Sequence, residues 1–329
     1  MACDFGRIFS LRIFIVLLHF RTLGVSSKPR VPCYFVFGDS WVDNGNNNKL
    51  KTKCKVNYPP YGIDFPEGST GRFTNGRNSA DIIGLFPSLI SKKDIRKGVN
   101  YGSGCAGIRK ESGRHLGDLI SMDMQLRHHK SIISRLSRMK KNRPVLKKCV
   151  YVVNIGSNDY INNFSCMVFT IQAIVYIWQT LYHLGGRKIV VFGLADMGCT
   201  PAEIYKFGTD GKPCVESLNE AARLFNDRLM SLVVELNKKN SDARFTFINL
   251  ASILSPLGDV PLPSTPCCHV RDDWQCIPSS VPCLIRDMSI FFDGFHPTEI
   301  CNILLAKRSY TASSPVDAYP YDISHLAQL

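Results

Sequence analysis

Ser40 follows a short apolar run and a Gly-Asp pair, and far along the chain His296 closes the string Asp293-Gly294-Phe295-His296. A serine hydroxyl is a weak nucleophile until a base takes its proton. His296 is a base of the right type. Asp293, three residues earlier on the same stretch, can hold the imidazole in the tautomer that leaves its other nitrogen free. Donors for developing negative charge are also at hand: the Gly104 backbone N–H, the Asn158 side-chain amide and the Ser40 backbone N–H. Such a donor is worth about 10²–10³ in turnover. Each piece alone is ordinary, since Ser after Gly-Asp marks a turn, Asp-x-x-His before Pro caps a helix and Asn158-Asp159 is turn chemistry. Together they are the parts a serine hydrolase needs.

Other chemistries fit less well. Gly102-x-Gly104-x-x-Gly107 matches a dinucleotide fingerprint by letter, but the stretch after it has no apolar face to make the helix that would carry a pyrophosphate. The chain has no G-x-S-x-G elbow, no H-E-x-x-H and no Walker A loop. Residues 43–48 (DNGNNN) are rich in oxygen but lack the calcium-loop spacing and its closing Glu. Cys267, Cys268, Cys276 and Cys283 contain no CxxC pair, which argues against zinc and for disulfides.

These side chains need a scaffold that brings distant positions together. Apolar runs at residues 34–37, 149–155, 188–194 and 244–250, with a weaker one at 99–101, are rich in β-branched and aromatic residues. Near-continuous apolar runs suit strands buried on both faces of a parallel sheet. Helical periodicity covers residues 215–240 and 169–184, the latter closed by Gly185-Gly186. A third helix is expected over 298–310, with Pro297 in its first turn. Strands alternating with helices predict an α/β fold with a doubly wound, mostly parallel sheet. Ligands bind such sheets beyond the carboxyl ends of the strands, where Ser40, Gly104 and Asn158 fall.

Composition agrees with a packed domain: 329 residues, 45% hydrophobic and 20% charged. These values exclude a disordered tail, a collagen-like fibre and a multi-pass membrane protein. Residues 1–26 carry Arg7 and Arg12, an apolar run over 13–20 and the small residues Gly24, Val25 and Ser26, which reads as a secretory signal too short to span a bilayer. One domain over 27–329 is expected. Removing the leader takes Cys3 from the 13 cysteines and leaves an even number, as suits disulfides outside the cell. Proximity in sequence suggests Cys199 with Cys214, and pairs among the four cysteines at 267–283. The net charge of +13 is concentrated at residues 127–148, which hold nine Lys and Arg and no acid. Leu126, Ile132, Ile133, Leu136 and Met139 recur there at helical spacing, so the run is expected to be one amphipathic helix with a solvated basic face rather than a nucleic-acid footprint. Asn163-Phe164-Ser165 is a glycosylation sequon.

Six ordered motifs then carry a resemblance: FVFGDSWVDNGNNN (35–48), GRFTNGR (71–77), VNYGSGCAGI (99–108), NIGSNDY (154–160), VFGLADMGCTP (191–201) and FDGFHPTE (292–299). The chain resembles the plant-type GDSL esterase/lipase family of the SGNH hydrolases over most of its length after residue 30. The resemblance implies a three-layer α/β/α fold with a flavodoxin-like sheet, secretion and hydrolysis of carboxylic esters of lipid, cell-wall or small-molecule origin. It implies Ser40 as nucleophile, Asp293 and His296 as its partners, Gly104 and Asn158 as oxyanion donors, and no cofactor. His296 acts as a base only when neutral, so activity is expected to rise with pH through neutrality. Three stretches depart from the family pattern. The chain is shorter than usual between Asn163 and Leu181, Thr265-Pro-Cys-Cys-His-Val replaces a Gly-Cys-Cys-Gly kind of turn, and Phe292 stands where Trp is common. Those departures motivate an alternative: a catalytically impaired, secreted lipid- or glycan-binding protein on the same fold.

Overall fold

Residues 31–86, 94–139, 144–163, 170–255 and 265–329 are described by the computed structural model. The strong apolar runs form strands β1 (Tyr34–Gly38), β2 (Val150–Asn154), β3 (Lys188–Phe192) and β4 (Arg244–Ile248). They pair in that order, all parallel, and a short β5 (Ala318–Tyr319) adds antiparallel to β4. The register sets Gly38 opposite Asn154, so the carboxyl ends of β1 and β2 lie side by side.

The weak run at 99–101 makes only a single parallel bridge to β1, through Val36 N–H to Val99 O at 3.0 Å and Tyr101 N–H to Val36 O at 2.8 Å. The next pairing is left half made: Ser103 N–H still reaches Gly38 O at 3.0 Å, but the Gly38 N–H is taken by Gln125 Oε1 at 2.9 Å. The Asn100 side chain shapes the turn that follows, accepting the Gly102 N–H at 2.8 Å and donating to Val42 O at 2.7 Å. With this segment counted second along the chain, the spatial order of the parallel segments is 2-1-3-4-5, the flavodoxin-like order expected, and the antiparallel strand 318–319 lies outside the last of them.

Side chains alternate across the sheet. Phe35, Phe37, Tyr151, Val153, Ile189, Val191, Phe245 and Phe247 face one core, and Tyr34, Val36, Val150, Val152, Val190, Phe192 and Ile248 face the other. Helix α1 (Ser79–Leu85) contributes Ile82 and Ile83 to the second core. Helix α2 (Met122–Ser137) covers the first with Met122, Leu126 and Leu136. After β2 come α3 (Ser157–Asn163) and α4 (Thr170–His183), whose Ile177, Trp178 and Leu181 join the first core. Helix α5 (Pro201–Phe207) precedes α6 (Glu216–Lys239), which lays Phe225, Leu229 and Val233 on that same face. Helices α7 (Leu250–Leu254), α8 (Glu299–Tyr310) and α9 (Ile323–Gln328) close the opposite face through Ile253, Leu305 and Leu326. The result is three layers, helices on both sides of one sheet.

Two expected helices have different bounds. The basic run does not form one helix over 127–148: α2 begins earlier and stops at Ser137, and residues 146–148 make a separate 3₁₀ turn beyond Pro144. Within α2, Arg127, Lys130 and Arg135 are exposed and Leu126 and Leu136 are buried, so the basic face is solvated. Pro297 precedes α8 rather than sitting in its first turn, and Thr298 is the N-cap. The cause is a pairing of residues 296–298 with 290–292: Phe292 N–H meets His296 O at 2.8 Å and Thr298 N–H meets Ile290 O at 2.8 Å.

Five disulfides cross-link the described residues. Cys199–Cys214 is the pair expected from proximity, and the 267–283 cluster resolves into Cys267–Cys283 and Cys268–Cys276. Cys33–Cys149 ties the start of β1 to the start of β2, and Cys54–Cys105 joins two loops over their ends. Cys301 is a buried free thiol. Among the described residues no helix is long and apolar enough to cross a membrane. The signal segment expected at 1–26 lies outside the described residues.

Candidate active site

The chain leaves β1 through a turn that leaves no room for a side chain at its first position. A Cβ on Gly38 would lie 2.1 Å from Asn154 O of the neighbouring strand. Asp39 N–H donates to that same carbonyl at 3.2 Å, and Asp39 O accepts from Val42 and Asp43 N–H groups. Gln125 of α2 holds the turn from the other side, accepting the Gly38 N–H at 2.9 Å and donating to Gly38 O at 2.8 Å. Ser40 is thus presented on a rigid turn at the carboxyl end of the sheet, with 8% of its surface exposed.

His296 and Asp293 reach it from the loop before α8. His296 Nε2 lies 2.8 Å from Ser40 Oγ, and its Nδ1 lies 2.9 and 2.8 Å from the two Asp293 oxygens. Asp293 is fully buried, and its Oδ1 also accepts the Phe295 and His296 N–H groups at 2.9 and 2.8 Å. Those two bonds shape the loop so that carboxylate and imidazole lie edge to edge. The Phe73 ring, from the GRFTNGR stretch, packs 4.8 Å from the imidazole. In this arrangement a carboxylate orients an imidazole whose far nitrogen can accept the serine proton.

Of the N–H groups expected to serve an oxyanion, one is engaged elsewhere. Asn158, at the start of α3, has one amide hydrogen on Ala106 O at 3.0 Å and keeps a second. The Gly104 N–H, expected as a donor, is already bound to Asp43 Oδ2 at 2.8 Å. Gly104 serves packing instead: a Cβ there would lie 2.7 Å from the Phe73 ring and 2.9 Å from Cys54 O. The next residue, Cys105, has φ 63°, and its N–H meets no acceptor among the described residues. The Ser40 N–H is likewise without an acceptor among them.

Asparagines of the 43–48 run strap these loops together. Asn47 Nδ2 donates to Cys54 O at 2.7 Å and Gly104 O at 3.1 Å, and Asn46 Nδ2 to Gly102 O at 2.7 Å. Asp43 Oδ1 accepts the Gly45 and Asn46 N–H groups, each at 2.8 Å. Its oxygens are occupied by backbone donors. Burial nevertheless pushes the Asp43 carboxyl up to about 6, and burial also pushes that of Asp39 up to about 7. Asp39 Oδ1 accepts the Trp41 N–H at 3.0 Å, while its Oδ2 has no partner among the described residues.

Sequence reasoning missed Gln125, Tyr61 and Cys105. Tyr61 is fully buried in a small third core with Phe73, Cys276 and Phe292, and its hydroxyl donates to Asp293 Oδ2 at 2.6 Å. No local pattern marks it, whereas an odd Gln among the buried positions of an amphipathic helix was a usable signal for Gln125. Asn163 is the last residue of α3, and Phe164 and Ser165 of its sequon lie outside the described residues.

Comparison with known proteins bears on the family of the chain. Residues 34–309 match the model of the GDSL-like Lipase/Acylhydrolase family. Three GDSL esterase/lipases of Arabidopsis thaliana are 40%, 40% and 41% identical to the chain; the alignments cover 93%, 94% and 91% of it and 94%, 95% and 93% of the relatives. Among solved structures, a member of the lipolytic protein G-D-S-L family from Veillonella parvula matches at 12% identity and a TM-score of 0.43, over 87% of this chain and 98% of that one.

Proposed function

The chain belongs to the GDSL-like lipase/acylhydrolase family and is a serine ester hydrolase, and we propose that it works through an acyl-enzyme formed on Ser40, outside the cell. The observation that carries this reading is the hydrogen-bonded line Ser40 Oγ, His296 Nε2, His296 Nδ1, Asp293.

In the first step His296 Nε2 accepts the Ser40 proton as Oγ attacks the ester carbonyl. Asp293 keeps the imidazole in the required tautomer and balances the charge it gains. The carbonyl oxygen becomes an oxyanion that takes hydrogen bonds from the Ser40 N–H, the second Asn158 amide hydrogen and the Cys105 N–H, which replaces Gly104 in that role. Collapse of the intermediate expels the alcohol, protonated by His296. Water, deprotonated by the same imidazole, then releases the acid and restores the serine. The substrate is an ester of lipid, cell-wall or small-molecule origin, with the acyl carbonyl at the carboxyl end of β1. Five disulfides and the leader-like first 26 residues support secretion.

The test is labelling with a fluorophosphonate, which reacts with an activated serine, followed by peptide mapping. A single label on Ser40 supports the reading. A folded protein that takes no label there supports the binding-protein alternative. The same sample, expressed through a secretory route, reports its mature N-terminus and the occupancy of Asn163 by mass.

A further inference from the structure

Cys105 is a side-chain-bearing residue held at φ 63°, a conformation that costs an L-residue with a Cβ and that glycine adopts freely. Its neighbours are all engaged with the site: Ser103 N–H donates to Gly38 O at 3.0 Å, Gly104 N–H to Asp43 Oδ2, and Ala106 O accepts from Asn158. Between them the Cys105 N–H meets no acceptor among the described residues. The side chain of Cys105 is bonded to Cys54, which is itself fixed. Cys54 is fully buried, its N–H donates to Thr52 Oγ1 at 3.0 Å and its carbonyl accepts from Asn47 at 2.7 Å.

We propose that the Cys54–Cys105 disulfide is a positioning cross-link: it holds Cys105 in the left-handed conformation and so keeps its N–H aimed at the oxyanion, doing for a cysteine what glycine would do by its own freedom. The inference rests on the acyl-enzyme reading above. A cross-link that served stability alone would move the thermal midpoint and leave turnover of the folded protein unchanged. A positioning cross-link makes activity follow the conformational preference of residue 105 once the link is gone.

The experiment compares Cys54→Ala/Cys105→Ala with Cys54→Ala/Cys105→Gly on a p-nitrophenyl ester, with kcat, KM and the thermal midpoint measured for each. Both lack the cross-link. The alanine pair is expected to lose kcat, at little change in KM, and the glycine pair to recover about five- to thirtyfold of that loss, the range set by the cost of a left-handed L-residue. The glycine pair is also expected to have the higher midpoint of the two, since alanine at positive φ is destabilised by more than the chain entropy that glycine adds to the unfolded state. Should the alanine pair not fold, Cys54→Ala/Cys105→Asn takes its place, since asparagine visits this conformation more readily than alanine and less readily than glycine. With kcat taken well below every midpoint, where a link that served stability alone leaves turnover of the folded protein unchanged, a flat kcat across these variants overturns the proposal. Ser40→Ala, run alongside, separates the two failures: if it retains turnover the acyl-enzyme reading fails, and if it is inactive while the series is flat only the cross-link's role fails.

Discussion

The Tyr61 hydroxyl donates to Asp293 Oδ2 at 2.6 Å, across 232 positions of sequence. The same oxygen accepts the Cys276 N–H at 3.0 Å, which leaves its own proton directed at the carboxylate. Cys276 is anchored in turn by its disulfide to Cys268. Burial first, and the Asp293 charge beside it, hold the hydroxyl well above its ordinary pKa, so it remains a donor wherever the enzyme would be assayed. Asp293 is therefore oriented by two backbone N–H groups at Oδ1 and a buried phenol at Oδ2.

Tyr61→Phe keeps the ring and removes that donor. It also leaves the Cys276 N–H without an acceptor. A hydrogen bond to a charged group is worth enough that kcat should fall about tenfold, with KM little changed and the thermal midpoint lowered by a few degrees. Steady-state kinetics on a soluble ester measures this. An unchanged kcat would show that the backbone donors alone orient Asp293.

Ser40→Ala should lower turnover by at least about 10⁴-fold. The midpoint should move little, because the hydroxyl's partner among the described residues is the imidazole and the turn is held by backbone groups and Gln125. Kinetics and calorimetry on the same preparation check both halves.

Asn158→Ala should cost about 10²–10³ in kcat, the usual effect of removing one oxyanion donor. Because the same amide donates to Ala106 O, a modest loss of stability should accompany it. A loss expressed in KM alone would place Asn158 in substrate binding rather than at the oxyanion.

Asp39 links pH to stability with a definite sign. Burial raises its carboxyl from 3.8 to about 7, so the fold disfavours the charged form. Its contribution to stability is complete below the unfolded value and is lost as pH rises toward the folded one. Asp39→Asn mimics the protonated carboxyl and can still accept the Trp41 N–H through Oδ1. The midpoint of the variant relative to the wild type should therefore rise between about pH 4 and pH 8 and level off above that. Thermal melts at unit pH steps test it, and a difference that stays constant with pH would contradict the assignment.

Much of the architecture was legible along the chain. Residues 34–37, 150–154, 188–192 and 244–248 are runs of Val, Ile, Phe and Tyr that only a doubly covered sheet can bury, and they pair as that reasoning requires. Ser40, Asn158, Asp293 and His296 stood out because each follows an apolar run or precedes a helix, where open sheets place ligands. The boundaries read less well. Pro297 was drawn out of the last long helix by pairing with residues 290–292, a contact outside the helix that outweighs local preference at its end, and the helix that opens the basic run stops at Ser137, short of Pro144.

What the chain by itself determined is the kind of chemistry, through residue types that only certain reactions use, and the layer order, through the period of its apolar residues. Which N–H groups remain free was decided only in three dimensions. Gly104 and Cys105 are adjacent in sequence, yet the N–H of one donates to Asp43 while that of the other meets no acceptor among the described residues and its side chain is bonded to Cys54; neither partner is near in the chain. Tyr61 reaches Asp293 in the same way. A hydrogen bond depends on distance and direction to within a few tenths of an ångström and some tens of degrees. Periodicity and motif spacing carry no information at that scale; the packing of loops over the sheet's carboxyl edge supplies it.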